Sequence, residues 1–128
     1  MRSSRPKKAQ EFEILSVPTP AGSSISGFKI KDLNKNGEWD AGEVGLPDWE
    51  IELRGIGVET RHIKMVTFTD ATGAYRFDDL PAGKYLIKEN LKKGFIPTSK
   101  PVIIIKLVKG EDSGNNNFTN RPIPSLIK

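Results

Sequence analysis

Oxygen-bearing side chains recur along Asp32-Leu33-Asn34-Lys35-Asn36-Gly37-Glu38-Trp39-Asp40-Ala41-Gly42-Glu43 at loop positions 1, 3, 5, 9 and 12, with Gly37 at position 6. This is the spacing of an EF-hand-type calcium loop. Ca²⁺ takes six to eight oxygens, and alternate residues of a tightly turned loop point theirs inward. Gly37 permits the sharp turn because it reaches positive φ without a Cβ clash. Asp32, Asp40 and Glu43 supply charge, Asn34 and Asn36 supply neutral carbonyls, and Glu38 at position 7 contributes its main-chain carbonyl. Asp, Asn and Gly also build ordinary turns, but six matches in register favour the metal.

The flanks decide which elements hold this loop. Ser24-Ile25-Ser26-Gly27-Phe28-Lys29-Ile30-Lys31 leads in, and Gly45-Leu46-Pro47 leads out to Trp49-Glu50-Ile51-Glu52-Leu53. Both alternate apolar and polar residues at period two, which predicts strands. Pro47 opposes a helix running straight out of the loop. The expectation is a calcium loop that joins the first two strands.

From Ile25 onward short strands and turn signals follow one another, without helical periodicity. Strands are predicted near residues 25–31, 48–54, 60–69, 73–78, 83–90, 101–108 and 115–120. Turns are predicted at 70–73, 80–83, 92–94 and 109–112. Pro97 and Pro101 limit any strand over 92–100 to a sheet edge. Seven strands at this spacing predict an all-β sandwich. Tyr75 and Phe77 share one strand face and Tyr85 and Ile87 another, so all four are expected between the sheets.

Composition bounds the function. The 128 residues suit one domain with tails: a basic tail and Pro/Gly/Ser linker over 1–22, a sandwich over 23–122 and a C-terminal tail over 123–128. No apolar run reaches membrane-spanning length, and residues 1–22 lack the apolar stretch of a secretory signal. There is no cysteine, hence no disulfide framework, Cys-ligated zinc or thiol nucleophile. The net charge of +4 draws on Arg2, Arg5, Lys7 and Lys8 in the tail. No basic patch is interleaved with aromatics, so nucleic-acid binding is not expected.

Several matches in order then resemble one family. Ile25-Ser26-Gly27-Phe28-Lys29, Asp32 to Gly37 and Gly45-Leu46-Pro47 are similar to the opening of the SdrD B-like modules of microbial surface proteins. Thr69-Asp70-Ala71-Thr72-Gly73-Ala74-Tyr75-Arg76-Phe77 and Leu80-Pro81-Ala82-Gly83-Lys84-Tyr85 resemble their central hairpin. Asn117-Phe118-Thr119-Asn120-Arg121-Pro122 resembles their closing strand, with Thr119 where Gly is commoner. The resemblance covers about residues 25–122. It implies a prealbumin-like Greek-key sandwich of seven strands, calcium at Asp32, Asn34, Asn36, Asp40 and Glu43, and a spacer in an extracellular adhesin or S-layer-type protein. Related collagen-adhesin B domains form an amide between a first-strand Lys and a last-strand Asn, with a buried Glu as proton shuttle. The matching positions are Lys29, Asn120 and Glu89.

Such a bond needs a neutral amine, which burial favours, and a carboxyl kept protonated by the same surroundings. Glu89 shares the face of Tyr85 and Ile87, and Asn120 that of Phe118, so both are predicted inward. Lys29 alternates with Phe28 and Ile30 and is predicted to face away from them, on the side of Ile25 and Gly27. Lys31 has the same parity. Asn90-Leu91-Lys92-Lys93 lacks the Ala-Pro that crosslinking relatives carry ahead of Gly94-Phe95.

The remaining chemistry-bearing residues read as structure. His62 has no Ser, Cys or ligand neighbour at useful spacing and is expected on the surface. Trp39 is expected to pack the loop onto the sheet, and Trp49 to be core or half-exposed. Asn117-Phe118-Thr119 is a glycosylation sequon whose strand location disfavours modification. Asp78 and Asp79 are expected to point to opposite faces of a strand end. With no Ser/His/Asp set, phosphate loop or cofactor motif, turnover chemistry is not expected. The function expected is a calcium-stabilised, monomeric structural module of a secreted or cell-surface protein, flanked by neighbouring domains and not inserted in a membrane. The competing reading is a module that recognises a host or matrix protein or a polysaccharide through exposed loops such as 54–62.

Overall fold

A computed structural model describes residues 22–124. The basic lead and nearly all of its linker, and residues 125–128 of the C-terminal tail, lie outside the described residues. Among the described residues there is no helix. The strands are β1 (Ser23–Lys31), β2 (Glu50–Gly55), β3 (Lys64–Phe68), β4 (Ala74–Leu80), β5 (Gly83–Glu89), β6 (Phe95–Pro97), β7 (Val102–Leu107), β8 (Asp112–Ser113) and β9 (Phe118–Pro122).

Two sheets face each other. One runs β4-β1-β9-β6, with β8 paired to the start of β1, and the other runs β3-β2-β5-β7. Most pairs are antiparallel, but β1 lies parallel to both β8 and β9. Ile25, Trp49, Ile51, Leu53, Tyr75, Phe77, Leu80, Tyr85, Ile87, Leu107 and Phe118 fill the space between the sheets. The period-two patterning that predicted Tyr75, Phe77, Tyr85 and Ile87 inward is what seals this layer.

Three expectations are corrected. Among the described residues there are nine strands rather than seven, because β6 and β8 are too short to show a period. Pro97 confines β6 to the sheet edge, as its missing N–H requires. The strand expected over 60–69 shortens to β3, since Thr60 closes a turn through Ile63 N–H to its carbonyl at 2.8 Å. Asp78 and Asp79 do not point oppositely. The register slips between Ile25↔Phe77 and Ser23↔Leu80, placing an extra residue on β4. Asp79 takes φ +57°, and both acids are exposed while Leu80 returns to the core.

Three backbones meet where β1 approaches the loop. Lys29 N–H donates to Gly73 O at 2.8 Å, and Leu46 N–H donates to Lys29 O at 2.8 Å. A Cβ on Gly45 would stand 1.9 Å from Thr72 O, so only glycine allows this approach. Gly42 has φ +87° but nothing within 4 Å of a Cβ. Gly45→Ala is therefore expected to cost about 2–4 kcal/mol by urea unfolding, because backbone must move. Gly42→Ala is expected to cost about 1 kcal/mol, from φ strain alone. Equal losses would refute the steric account.

Candidate functional site

Lys29 is fully buried, as are Asn120 and, at 3% exposure, Glu89. Each comes from a different strand. Lys29 on β1 stands beside Phe118 in the parallel register with β9, so Asn120 is its diagonal neighbour two residues on. Glu89 reaches in from β5 of the facing sheet, where it is paired with Ile51. The Lys29 ammonium donates to Glu89 Oε1. Glu89 Oε2 and both polar atoms of the Asn120 side chain have no hydrogen-bond partner. The Asn120 amide lies near enough to Glu89 to affect its titration, yet outside hydrogen-bonding geometry.

Parity placed Lys29 with Ile25 and Gly27, and the fold keeps it there, buried rather than solvated. It is Lys29, not the half-buried Lys31, that stands beside Glu89. The apolar wall of the site comes from Trp49, which the sequence placed as core or half-exposed, and from Phe95, which it left unassigned. The Trp49 ring centroid lies 4.1 Å from Lys29 Nζ, and Phe95 meets the same ring edge-on at 5.1 Å. Trp49 is fixed by its indole N–H to Asn90 O at 2.8 Å. The signal for this wall was the apolar-aromatic parity of Trp49 with Ile51 and Leu53; Phe95 gave none.

Burial sets the protonation. It lowers the Lys29 pKa from 10.5 to about 8, against the hydrogen bond and charge of Glu89, which work upward. Burial raises the Glu89 pKa, against Lys29 and Asn120. Both shifts move the pair toward a neutral amine and a protonated acid.

The loop from Asp32 to Glu43 sits at the end of the same strand. A bridge between Ile30 and Gly45 and the bond from Lys31 N–H to Val44 O at 2.8 Å close its stem. Asp32 is fully buried, and its carboxylate accepts the Gly37 amide at 2.7 Å and the Asn36 amide at 3.3 Å. Burial works to raise the Asp32 pKa, but the Thr98 hydroxyl and the loop amides outweigh it and hold it below the usual range. Asn34 and Asn36 both donate Nδ2 to Asp40 Oδ2, at 3.0 and 2.7 Å. Glu43 caps the Leu33 and Asp40 amides at 2.8 and 2.9 Å. The Glu38 side chain is exposed, and its amide donates to Asn36 Oδ1 at 3.0 Å. Trp39 lies against Phe28 at 4.9 Å between centroids and ties its indole N–H to Glu43 O, seating the loop on the sheet.

The donor set fits a hard, oxygen-liganded cation. Asp32, Asn34, Asn36 and Asp40 gather around one turn, and rotating the two amides presents Oδ1 where Nδ2 stands. Among the described residues no three acids or imidazoles lie close enough to hold a metal without such neutral carbonyls. His62 is exposed.

Comparison with known proteins agrees with this architecture. The minor pilin of Streptococcus agalactiae superposes with a TM-score of 0.58 at 17% identity, over 95% of this chain and 51% of that one. The pilus adhesin of Streptococcus pneumoniae gives 0.59 at 21% identity, over 88% of this chain and 16% of that one. The fold is thus shared with modules of these pilin and adhesin chains. The chain belongs to the SdrD B-like domain family, whose profile matches residues 23–121. The bone sialoprotein-binding protein of Staphylococcus aureus strain MRSA252 is 34% identical over 96 residues, and so is serine-aspartate repeat-containing protein E of strain MSSA476. The match covers 75% of this chain but 8% of either relative.

The Lys29 shift gives a pH prediction, stated for an Asn120→Ala chain. Below pH 8 both states hold the proton, and the fold bears the cost of burying it. Between pH 8 and 10.5 only the unfolded chain keeps it, so stability rises with pH, by up to about 3 kcal/mol. Urea unfolding is expected to show this rise, and to lose it when Lys29→Met is added. The same rise in both chains would contradict it.

Proposed function

We propose that the chain is a calcium-stabilised, internally crosslinked spacer module of an extracellular surface protein, joined to neighbouring domains. The observation that carries this is the buried Lys29–Glu89 pair beside an Asn120 side chain with no partner. An unsatisfied buried amide costs about 1–3 kcal/mol, so its retention calls for a use. A proton moves from Lys29 to Glu89, leaving a neutral amine against a neutral acid. Glu89 donates its proton to Asn120 Oδ1 while Lys29 Nζ attacks Cγ. The Nζ–Cγ bond forms, Glu89 carries an Nζ proton to Nδ2, the Cγ–Nδ2 bond breaks to release ammonia, and Oδ1 returns its proton to Glu89 as the carbonyl re-forms. Trp49 and Phe95 exclude the water that would stabilise the charged pair. The reaction occurs once per molecule and joins β1 to β9.

The loop residues Asp32, Asn34, Asn36, Asp40 and Glu43, with the Glu38 carbonyl, are the ligands of the cation. Bound calcium supplies the positive charge that offsets their mutual repulsion. A ligand held by the folded loop and not by the unfolded chain stabilises by RT ln(1 + [L]/Kd). Three carboxylates suit the weak extracellular range of about 10⁻⁴–10⁻³ M. A surface location follows the fold relatives, and the small share of the curated relatives covered fits one module among several.

Intact mass tests the bond. The purified chain is expected to be one ammonia lighter than its sequence, and Lys29→Ala, Glu89→Ala and Asn120→Ala to have full mass. Full mass in the parent chain would dismiss the crosslink. Unfolding with calcium or chelator tests the loop. At ~10 Kd of calcium the gain is expected to be about 1.4 kcal/mol, and Asp32→Ala to abolish it. No shift with calcium would remove the metal from the account.

A further inference from the structure

Most of the sheet edges among the described residues are blunted. The edge strand β4 carries the extra residue at Asp79 and two exposed acids. β6 is three residues long and ends in Pro97, and β8 has two residues. β3 lies against β4 at the side of the sandwich. β7, the remaining edge, has neither bulge nor proline and reads Val102-Ile103-Ile104-Ile105-Lys106-Leu107. A regular, apolar edge of this kind is a template for another strand.

Register shows which groups this edge offers. Glu89 N–H donates to Pro101 O at 3.1 Å, and β5 runs antiparallel to β7 with Ile87 opposite Ile103 and Tyr85 opposite Ile105. Hydrogen-bonded pairs alternate along such a ladder, so the backbones of Ile103, Ile105 and Leu107 bond to β5. The N–H and C=O groups of Val102, Ile104 and Lys106 point the other way, and among the described residues no strand pairs with them. Their side chains stand on the outer face, Val102 39% and Ile104 53% exposed.

Charge selects the strand that fits. On the outer face Lys106 stands beside Lys84, Ile104 beside the half-buried Leu86, and Val102 beside Lys88. An apolar centre is thus flanked by lysines, and neither β5 nor β7 places an acid on that face. Opposite charges across a strand pair are favourable and like charges unfavourable, so a second β7, which brings its own Lys106, fits less well than a strand carrying acids. We propose that β7 is a docking edge for an extended acidic segment of a separate protein, which adds to the four-stranded sheet. Its backbone pairs with Val102, Ile104 and Lys106. An apolar side chain sits opposite Ile104, and acids two residues to either side meet Lys106 and, past Val102, Lys88. Main-chain bonds supply affinity in this mode, and alternate side chains supply the choice of partner. The inference stands apart from the crosslink and from calcium, since Lys29, Glu89, Asn120 and the loop all lie off β7.

Hydrogen exchange by NMR on the full chain tests it, with a synthetic peptide that carries glutamates two residues to either side of a central isoleucine and threonines between. In the free chain the amides of Val102, Ile104 and Lys106 are expected to exchange fast and those of Ile103, Ile105 and Leu107 slowly. Saturating peptide is expected to slow the first three roughly tenfold and to leave Lys64–Phe68 of β3 unchanged. Lys106→Glu is expected to weaken the peptide about fivefold and to favour the same peptide with lysines for glutamates. Ile104→Pro removes a donor that the ladder to β5 does not use. It is expected to abolish binding, with unchanged exchange at residues 75–77 verifying the fold. No slowing at millimolar peptide overturns the proposal, as does equal affinity for the acidic and basic peptides, or protection confined to β3. Protection of the β7 edge that grows with protein concentration in the absence of peptide also overturns it, by assigning the edge to a second copy.

Discussion

A lysine amine sealed inside an apolar interior is the constraint around which this sandwich is arranged. Lys29 is fully buried, and only Glu89 and the Trp49 face receive its charge. Desolvating an ion is expensive enough that such a pair is weak evidence for stability. The sandwich bears that cost at the seam between its two sheets. Trp49, pinned by Asn90 and braced by Phe95, makes the surroundings dry enough to move both pKa values toward neutrality.

The loop and the lysine are one construction. Asp32 N–H donates to Asn120 O at 2.7 Å, so the first residue of the loop hangs from the residue whose side chain faces Lys29. Thr98 extends the link: its hydroxyl meets Thr119 at 2.7 Å and also touches Asp32. Ordering the loop therefore fixes β9 against β1, and fixing β9 orders the loop.

Local patterns in the chain reported local structure well. Period two marked β1, β2, β4 and β5, and loop spacing marked Asp32 to Glu43 as one turn. Parity brought Glu89 and Asn120 inward. What local pattern missed depends on distant partners. β6 and β8 are held by β9 and β1, not by their own few residues. The extra residue at Asp79 leaves no trace in composition, and the exposure of Asp79 follows from it. Phe95 matters because Trp49, far away in sequence, lies beneath it. The amide rotamers of Asn34 and Asn36 depend on Asp40 and cannot be read from spacing.

The first and last strands of the described residues are parallel neighbours. Lys29, Ile30 and Lys31 run beside Phe118, Thr119 and Asn120 in the same direction. Tension applied at the two chain ends would pull these strands in opposite senses along their length. Their hydrogen bonds would then share the force together, rather than peeling apart one after another. A chain that enters and leaves through adjacent parallel strands is built to resist stretching, and the remaining strands can be left slack behind that pair.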